Sequence, residues 1–176
     1  VCSSDLRDDR ERRTLSSIYL NPHDEEIANF RMLKTWHTIQ KNEIRYKEYY
    51  LEDAEFVVVG FGTAGRVALS AVRAARQQGI KDGLLRPVTV SPFPFAVLEE
   101  LAGRASAFLV VEMNTGQMLN DVQLAVKGRA TVEFYGRVGG VVPFPDEILK
   151  EIRRISTTKL SVDGDPRVAW LERMTA

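Results

Sequence analysis

The segment from residue 55 to residue 79 constrains the fold most, because its pattern changes from strand to helix across a run of glycines. A β-branched apolar run at residues 56–59 leads directly into Gly-Phe-Gly-Thr-Ala-Gly at residues 60–65. Small and apolar residues then recur with helical period until Gly79, where a glycine can end the helix. An apolar strand joined to a helix by a short glycine turn is typical of a parallel sheet that helices cover on both faces.

The same strand and helix unit recurs along the chain. The patterns predict further strands at residues 83–90, 108–112 and 131–135, and helices at about 95–102, 116–126 and 146–155. Alternating residues near Ile44 and Tyr46 indicate a short edge strand, although Tyr46 and Tyr50 also fit helical spacing. Each connection is long enough to return to a parallel strand. We therefore expect a three-layer α/β/α sandwich with a mainly parallel sheet of about five strands.

The two ends of the chain have weaker patterns. A helix is predicted from Asp24 to about Gln40, after a run of charged residues at 7–13. Residues 1–6 back-translate as GTG TGC TCT TCC GAT CT, the end of a common sequencing adapter, so we expect them to be foreign and Cys2 not to be biological. The alternative is a genuine polar lead-in. The expected organisation is an adapter remnant at 1–6, a charged lead-in and linker helix at 7–50, an α/β domain at 51–155 and a loose tail at 156–176, with a short helix near 168–174.

Composition excludes several classes of protein. The 24 basic and 24 acidic side chains give no net charge and form no basic cluster, which argues against nucleic-acid and membrane-surface binding. No apolar run approaches the roughly 20 residues of a transmembrane helix, and no signal peptide is recognisable, so a cytoplasmic location is expected. One cysteine and two histidines do not supply a Cys/His metal site or the ligands of an iron–sulfur cluster.

The glycine turn admits two interpretations. Gly60, Gly62 and Gly65 have the spacing of a dinucleotide-binding turn between strand and helix, which would make a free-standing NAD or FAD domain. Such a site also needs an acidic residue at the end of the second strand, and residues 84–90 contain none. The alternative is that the glycines let the turn bend tightly and bring the helix close to the sheet.

Polar residues after two later strands are the other candidates for function. Glu112, Asn114 and Gln117 follow an apolar strand, at the edge where α/β sheets present polar groups to ligands or partners. Glu112 is either a general base or a local cap, and Asn114 is also an ordinary helix cap. Arg137 either faces an anion or is a surface arginine. No catalytic residue is predicted, because no nucleophile has the surrounding motif of a hydrolase.

From residue 53 to about 150 the chain resembles the C-terminal, transketolase-C-like domain of the alpha subunit of 2-oxoacid:ferredoxin oxidoreductases. The 2-oxoglutarate and branched-chain 2-oxoacid subgroups look most similar, and residues 18–50 resemble the stretch that precedes this domain. Each matching piece is short, but together they occur in the family's order and spacing. The pieces are residues 53–63 (DAEFVVVGFGT), 85–89 (LRPVT), 92–94 (PFP), 108–114 (FLVVEMN), 116–118 (GQM), 135–137 (YGR) and the following Gly139, Gly140 and Pro143.

The resemblance implies a multisubunit enzyme that converts a 2-oxoacid, CoA and oxidised ferredoxin to acyl-CoA, CO2 and reduced ferredoxin. It implies thiamine diphosphate, Mg2+ and iron–sulfur clusters in the holoenzyme, all held outside this domain, so no catalytic, cofactor-binding or metal residue is carried over. The implied partners are a beta subunit, gamma and ferredoxin-like delta subunits, and ferredoxin as electron acceptor. This domain would then have a structural and assembly role; a stand-alone interaction module is a further alternative. The candidate contact residues are Phe61, Thr63, Glu112, Asn114, Gln117 and Arg137.

Overall fold

The structure, a computed structural model, describes residues 18–158 and 164–175. The chain divides into two compact units, residues 1–42 and residues 43–176. The expectations for the adapter remnant at 1–6 and the charged run at 7–13 fall outside the described residues. None of the helices in the described ranges is both long and apolar enough to cross a membrane.

The described part of the first unit is mainly one helix, α1, which spans Pro22–Asn42. It begins where the Asn21 side-chain oxygen accepts a hydrogen bond of 3.0 Å from the His23 amide. Proline suits the first helical position, because its missing N–H would have no helical partner there. Asp24 in the first turn and Lys41 in the last turn complement the helix dipole. The sequence predicted this helix with slightly shorter bounds.

The second unit contains the strands β1 (Tyr46–Tyr49), β2 (Phe56–Gly60), β3 (Asp82–Pro87), β4 (Ala107–Glu112) and β5 (Thr131–Gly136). They form one sheet in the order β1-β3-β2-β4-β5. The last four strands are parallel, and the short edge strand β1 runs antiparallel to β3. Both the edge strand and the mainly parallel sheet are therefore confirmed.

Helices cover the sheet. They are α2 (Gly62–Gln77), α3 (Phe95–Leu101), α4 (Gln117–Val126), α5 (Pro145–Thr157) and α6 (Pro166–Thr175). α2 packs beside α5, and α3 packs beside α4. Right-handed crossovers place these two pairs on opposite faces, since the connection after β2 runs in one direction along the sheet and those after β3 and β4 in the other. The predicted three-layer sandwich is confirmed.

The core lies along the two central strands. Residues 57–59 of β2 and 108–111 of β4 have no exposed surface. Their side chains alternate between the two faces, so both faces must be covered by helices. Burying each apolar side chain of this size stabilises the fold by about 1.5–3 kcal/mol.

The end of the chain is more ordered than the sequence predicted. α6 covers the predicted helix, but the expectation of a loose tail is wrong for this part, because α6 packs on the outer edge of β5. Trp170 is buried, and its ring meets that of Phe134 edge-on at 5.1 Å. Its indole N–H donates a 3.2 Å hydrogen bond to the Gly136 carbonyl. Residues 159–163 lie outside the described ranges.

Candidate functional site

Three loops meet at the edge of the sheet where the parallel strands end. Gly60 is level with Val111, and Glu112 is level with Gly136, so the loops after β2, β4 and β5 lie side by side. The Arg137 amide donates a 3.1 Å hydrogen bond to the Glu112 carbonyl. An open cleft of about 320 Å³ lies between residues 61–64 and 111–114. The strand order reverses between β2 and β4, and such reversals are where open α/β sheets bind ligands.

The glycine turn after β2 is explained by close packing. A β-carbon on Gly65 would overlap the Gly60 carbonyl oxygen, and one on Gly60 would lie 2.9 Å from the Gly65 Cα. Gly62 has a φ of +57°, which favours glycine for a different reason. The first turn of α2 is therefore pressed against the end of β2, as the packing interpretation of this motif expects.

The nucleotide-binding interpretation gains no support from this geometry. β3 ends in Arg86 and Pro87, and its one carboxylate, Asp82, lies at the start of the strand, at the opposite edge of the sheet. A dinucleotide site of this type needs an acidic side chain near the end of that strand to bind ribose hydroxyls. Binding of NAD or FAD at Gly60, Gly62 and Gly65 stays a hypothesis.

Glu112 is used inside the chain. It is 6% exposed, and its two carboxylate oxygens accept hydrogen bonds of 3.0 Å from the Met118 amide and 2.9 Å from the Leu119 amide. These amides belong to the first turn of α4, where backbone N–H groups have no helical partner and a negative charge is favoured. Of the roles considered from the sequence, the local cap is the one observed. Its carboxylate is therefore engaged within the chain and is not an exposed contact group.

Asn114 closes the same loop. Its side-chain oxygen accepts hydrogen bonds of 2.7 Å from the Gly116 amide and 3.1 Å from the Gln117 amide. The outer surface of this edge is then formed by Phe61, which is 44% exposed, together with the exposed Thr63 and Gln117. We call these three residues the edge surface.

Arg137 is engaged by Glu147 at the start of α5. The two side chains form a half-buried ion pair, and Glu147 also accepts a 2.8 Å hydrogen bond from the Phe144 amide. Burial by itself would raise the pKa of Glu147, but the hydrogen bonds from Phe144 and Arg137 outweigh it and lower that pKa. Burial, followed by the charge of Glu147, raises the pKa of Tyr135 to about 12. The guanidinium of Arg137 is therefore paired with a carboxylate of the same chain.

Sequence reasoning missed Arg167 on α6. Its guanidinium donates to the carbonyls of Thr115 and Gly116 and to the side-chain oxygen of Asn120, at 2.9, 2.5 and 2.6 Å. The weak apolar pattern of α6 hid this contact. The pair Asp165-Pro166 was the available signal, since aspartate followed by proline is typical of a helix start.

The edge surface combines an aromatic side chain with two uncharged polar ones above loops held by internal hydrogen bonds. This composition is typical of protein interfaces, where aromatic residues are enriched and charged ones depleted at the centre. Among the residues that the structure describes, no group of three or more His, Cys, Asp or Glu side chains could hold a metal ion.

Comparison with known families decides the identity of the domain. Residues 54–148, more than half of the chain, match the family described as pyruvate:ferredoxin oxidoreductase core domain II. The chain belongs to the 2-oxoacid:ferredoxin oxidoreductase family. The resemblance found in the sequence motifs is confirmed.

Relatives within the 2-oxoacid:ferredoxin oxidoreductase family are longer proteins. The ketoisovalerate oxidoreductase subunit VorB of Methanothermobacter marburgensis is 43% identical over 145 residues, which cover 82% of this chain and 41% of VorB. The 2-oxoglutarate synthase subunit KorA of the same organism is 39% identical over 103 residues, which cover 58% of this chain and 28% of KorA. The chain thus spans less than half the length of these relatives, of which VorB is named as an oxidoreductase subunit and KorA as a synthase subunit.

Solved structures share the fold of this family member. The 2-oxoglutarate:ferredoxin oxidoreductase from Magnetococcus marinus matches with a TM-score of 0.64 at 16% identity, over 77% of this chain and 24% of that one. A split-gene transketolase matches with a TM-score of 0.53 at 16% identity, over 62% of this chain and 40% of that one. The transketolase-like fold expected from the sequence is confirmed.

Proposed function

We propose that this domain is a structural and assembly domain in the alpha subunit of a thiamine-diphosphate-dependent 2-oxoacid:ferredoxin oxidoreductase. The complete enzyme would convert a 2-oxoacid, CoA and oxidised ferredoxin to acyl-CoA, CO2 and reduced ferredoxin in the cytoplasm. The family membership of residues 54–148 supports the enzyme class. The observation that carries the assembly role is the edge surface, whose exposed side chains lie on or beside loops that contacts within the chain already hold.

Internal order matters because association is opposed by the entropy lost when loops become fixed. Glu112 and Asn114 already hold the backbone after β4 through four hydrogen bonds to amides. In the turn after β2, the Gly65 amide donates a 3.2 Å hydrogen bond to the Phe61 carbonyl, and Gly60 and Gly65 are closely packed. A partner that binds here would therefore meet a preformed surface. Phe61 supplies the aromatic anchor around which binding energy commonly concentrates.

The proposed cofactors of the complete enzyme are thiamine diphosphate, Mg2+, iron–sulfur clusters and CoA. The residues where the parallel strands end do not fit a magnesium–diphosphate group, because the side-chain oxygens of Glu112 and Asn114 already accept hydrogen bonds from backbone amides. We therefore assign no step of the reaction to these residues.

The proposed partner at the edge surface is the beta subunit of the same enzyme. Gamma and ferredoxin-like delta subunits, and ferredoxin as electron acceptor, complete the proposed assembly. The relatives support an enzyme of several subunits, since VorB and KorA are both named as subunits.

The test is the affinity of the complete alpha subunit for its beta subunit, measured by titration calorimetry. Phe61→Ala is expected to raise the dissociation constant roughly tenfold or more, because it removes the aromatic anchor. Thr63→Ala and Gln117→Ala should have smaller effects in the same direction. Unchanged affinity in all three variants would refute the assembly role at this surface.

Leu124→Ala is the matched control. Leu124 is 65% exposed near the C-terminal end of α4, which lies at the opposite edge of the sheet. Its loss should leave the affinity unchanged. A separate melting experiment with NAD or FAD addresses the alternative, since a ligand that binds the folded state raises the melting temperature. We expect no shift with either nucleotide, and a shift that Gly62→Ala abolishes would favour the free-standing nucleotide-binding domain.

A further inference from the structure

The C-terminal helix α6 contacts the loop after β4 through one side chain. Arg167 reaches the Thr115 and Gly116 carbonyls and the Asn120 side chain, more than 45 residues earlier in the chain. The terminal nitrogen Nη2 donates the 2.5 Å hydrogen bond to the Gly116 carbonyl and the 2.6 Å hydrogen bond to Asn120, and Nε donates the 2.9 Å hydrogen bond to the Thr115 carbonyl. Hydrogen bonds from a charged donor are stronger than those between neutral groups.

Gly116 is adapted to this contact. Its φ is +98°, and a β-carbon there would lie 3.0 Å from Arg167 Nε. The guanidinium therefore lies directly against the backbone at this position. Glu112 and Asn114 bind amides of the loop and the following helix, whereas Arg167 binds carbonyls of the same loop. These contacts restrain different groups of one short segment.

The rest of α6 is anchored to the outer edge of the sheet. Trp170 donates to the Gly136 carbonyl, and Arg173 donates a 3.1 Å hydrogen bond to the Phe134 carbonyl. The backbone of Arg137 faces β4, where its amide bonds to Glu112, and successive residues of a strand face opposite edges. The Phe134 and Gly136 carbonyls therefore both face the outer edge of β5. Arg173 also lies 3.4 Å from a Glu151 carboxylate oxygen on α5. α6 therefore connects the free edge of β5 to the loop after β4.

We propose that α6 is a strap that holds residues 113–117 in the conformation that a neighbouring subunit binds, with Arg167 as the positioning residue. The strap contact itself is independent of the proposed function, but its consequence for assembly rests on that function. α6 contacts β5 and the Thr115 and Gly116 carbonyls, while the side chain of Gln117 is exposed. Release of α6 would free the loop carbonyls and weaken binding without removing a residue of the edge surface.

The first test measures amide hydrogen exchange in the 176-residue chain without any other subunit. Arg167→Gln is expected to accelerate exchange of the amides in residues 115–119 roughly tenfold, because it removes the charge-assisted hydrogen bonds to the loop. Exchange in β4 should stay at the wild-type rate, which shows that the core is intact. Unchanged exchange in residues 115–119 would overturn the strap.

Arg153→Gln is the matched control. Arg153 is an exposed arginine on α5 that donates a 2.8 Å hydrogen bond to Gln78, far from this loop. It removes the same charge and should leave the loop unchanged.

Asn120→Asp sharpens the assignment, because an aspartate would give Arg167 a second ionic partner beside Asp165, which lies 3.4 Å from Nη1. The substitution should slow exchange in residues 115–119 more in the wild type than in the Arg167→Gln background. The difference between the two backgrounds isolates the contact from the general effect of a negative charge near the start of α4. Equal slowing in both would overturn the direct role of Arg167.

The second test is the affinity of the complete alpha subunit for the beta subunit. Arg167→Gln should raise the dissociation constant several-fold while Arg153→Gln does not. Suppose that Arg167→Gln speeds loop exchange but leaves the affinity unchanged, while Phe61→Ala weakens binding. This result would overturn the coupling between the strap and assembly but leave the proposed function standing. If Arg167→Gln and the three edge-surface variants all leave affinity unchanged, the proposed function fails, and the exchange result alone decides the strap contact.

Discussion

Gly60 and Gly65 lie in direct backbone contact, because a β-carbon on Gly65 would overlap the Gly60 carbonyl oxygen. The contact joins the end of β2 to the first turn of α2, next to the edge-surface residue Phe61. The spacing of these glycines therefore has a packing cause that needs no nucleotide.

Gly65→Ala should lower the free energy of unfolding by about 3 kcal/mol or more, because backbone atoms cannot move aside as a flexible side chain can. Urea denaturation followed by circular dichroism measures the change. Gly103→Ala is the control, since its β-carbon would lie 3.2 Å from the nearest atom, the Glu100 carbonyl oxygen. It should cost less than about 1 kcal/mol, and equal losses in the two variants would contradict the close contact.

Glu112→Ala should lower the free energy of unfolding by about 2–3 kcal/mol, because it leaves two buried amides of α4 without an acceptor. Glu112→Gln should cost less, since one side-chain oxygen remains. The exposed Glu100 provides the control, where substitution by alanine should change stability by no more than about 0.5 kcal/mol. A Glu112 variant as stable as the Glu100 variant would show that the cap contributes nothing.

Asp82 should make the protein less stable as the pH rises. Burial raises its pKa well above the usual value, and it outweighs the nearby Gly83 amide and the charge of Arg76, which both act to lower that pKa. Within the described part of the chain neither carboxyl oxygen has a hydrogen-bond partner. The unfolded chain releases this proton near pH 4, whereas the folded chain retains it, so the contribution of Asp82 to stability is greatest below about pH 4 and falls until the raised pKa is passed.

Asp82→Asn should therefore stabilise the protein at pH 7 relative to the wild type, and the difference should shrink toward pH 4. Urea midpoints at several pH values measure it. The exposed Asp146 is the control, and Asp146→Asn should show no comparable trend. A difference between Asp82→Asn and the wild type that is constant with pH would show that Asp82 is not protonated in the fold.

Glu147→Gln should lower the pKa of Tyr135 from about 12, because it removes a negative charge and releases the positive charge of Arg137. The measurement is an ultraviolet titration of the wild type and of Glu147→Gln. Subtracting the titration of the same protein with Tyr135→Phe isolates the signal of this tyrosine. Because its pKa is raised, Tyr135 contributes stability that is lost as the pH rises from about 10 through 12. Asp146→Asn should leave the titration unchanged, and an equal pKa in the wild type and Glu147→Gln would exclude the coupling.

The fold could be predicted from the chain because its signals are local. The apolar runs at residues 56–59 and 108–111 and the helical periods between them identify strands and helices without knowledge of their neighbours. Parallel strands then place the loops after β2, β4 and β5 at one edge, which brought Phe61, Glu112 and Arg137 together as predicted candidates. The α6 contacts could not be predicted, because Trp170 and Arg167 contact residues that lie more than 30 positions away in sequence.

The sequence by itself determined the α/β architecture, the family and the edge at which the candidate residues lie, since these follow from periodicity, short motifs and strand direction. Only the tertiary structure decided which of those residues face outward. Glu112 is buried where it accepts hydrogen bonds from the amides of α4, and Arg137 is paired because α5 brings Glu147 next to it. Phe61 lies between the closely packed Gly60 and Gly65 and is exposed. Burial and charge pairing depend on groups that meet only when distant segments pack, and no local pattern records them.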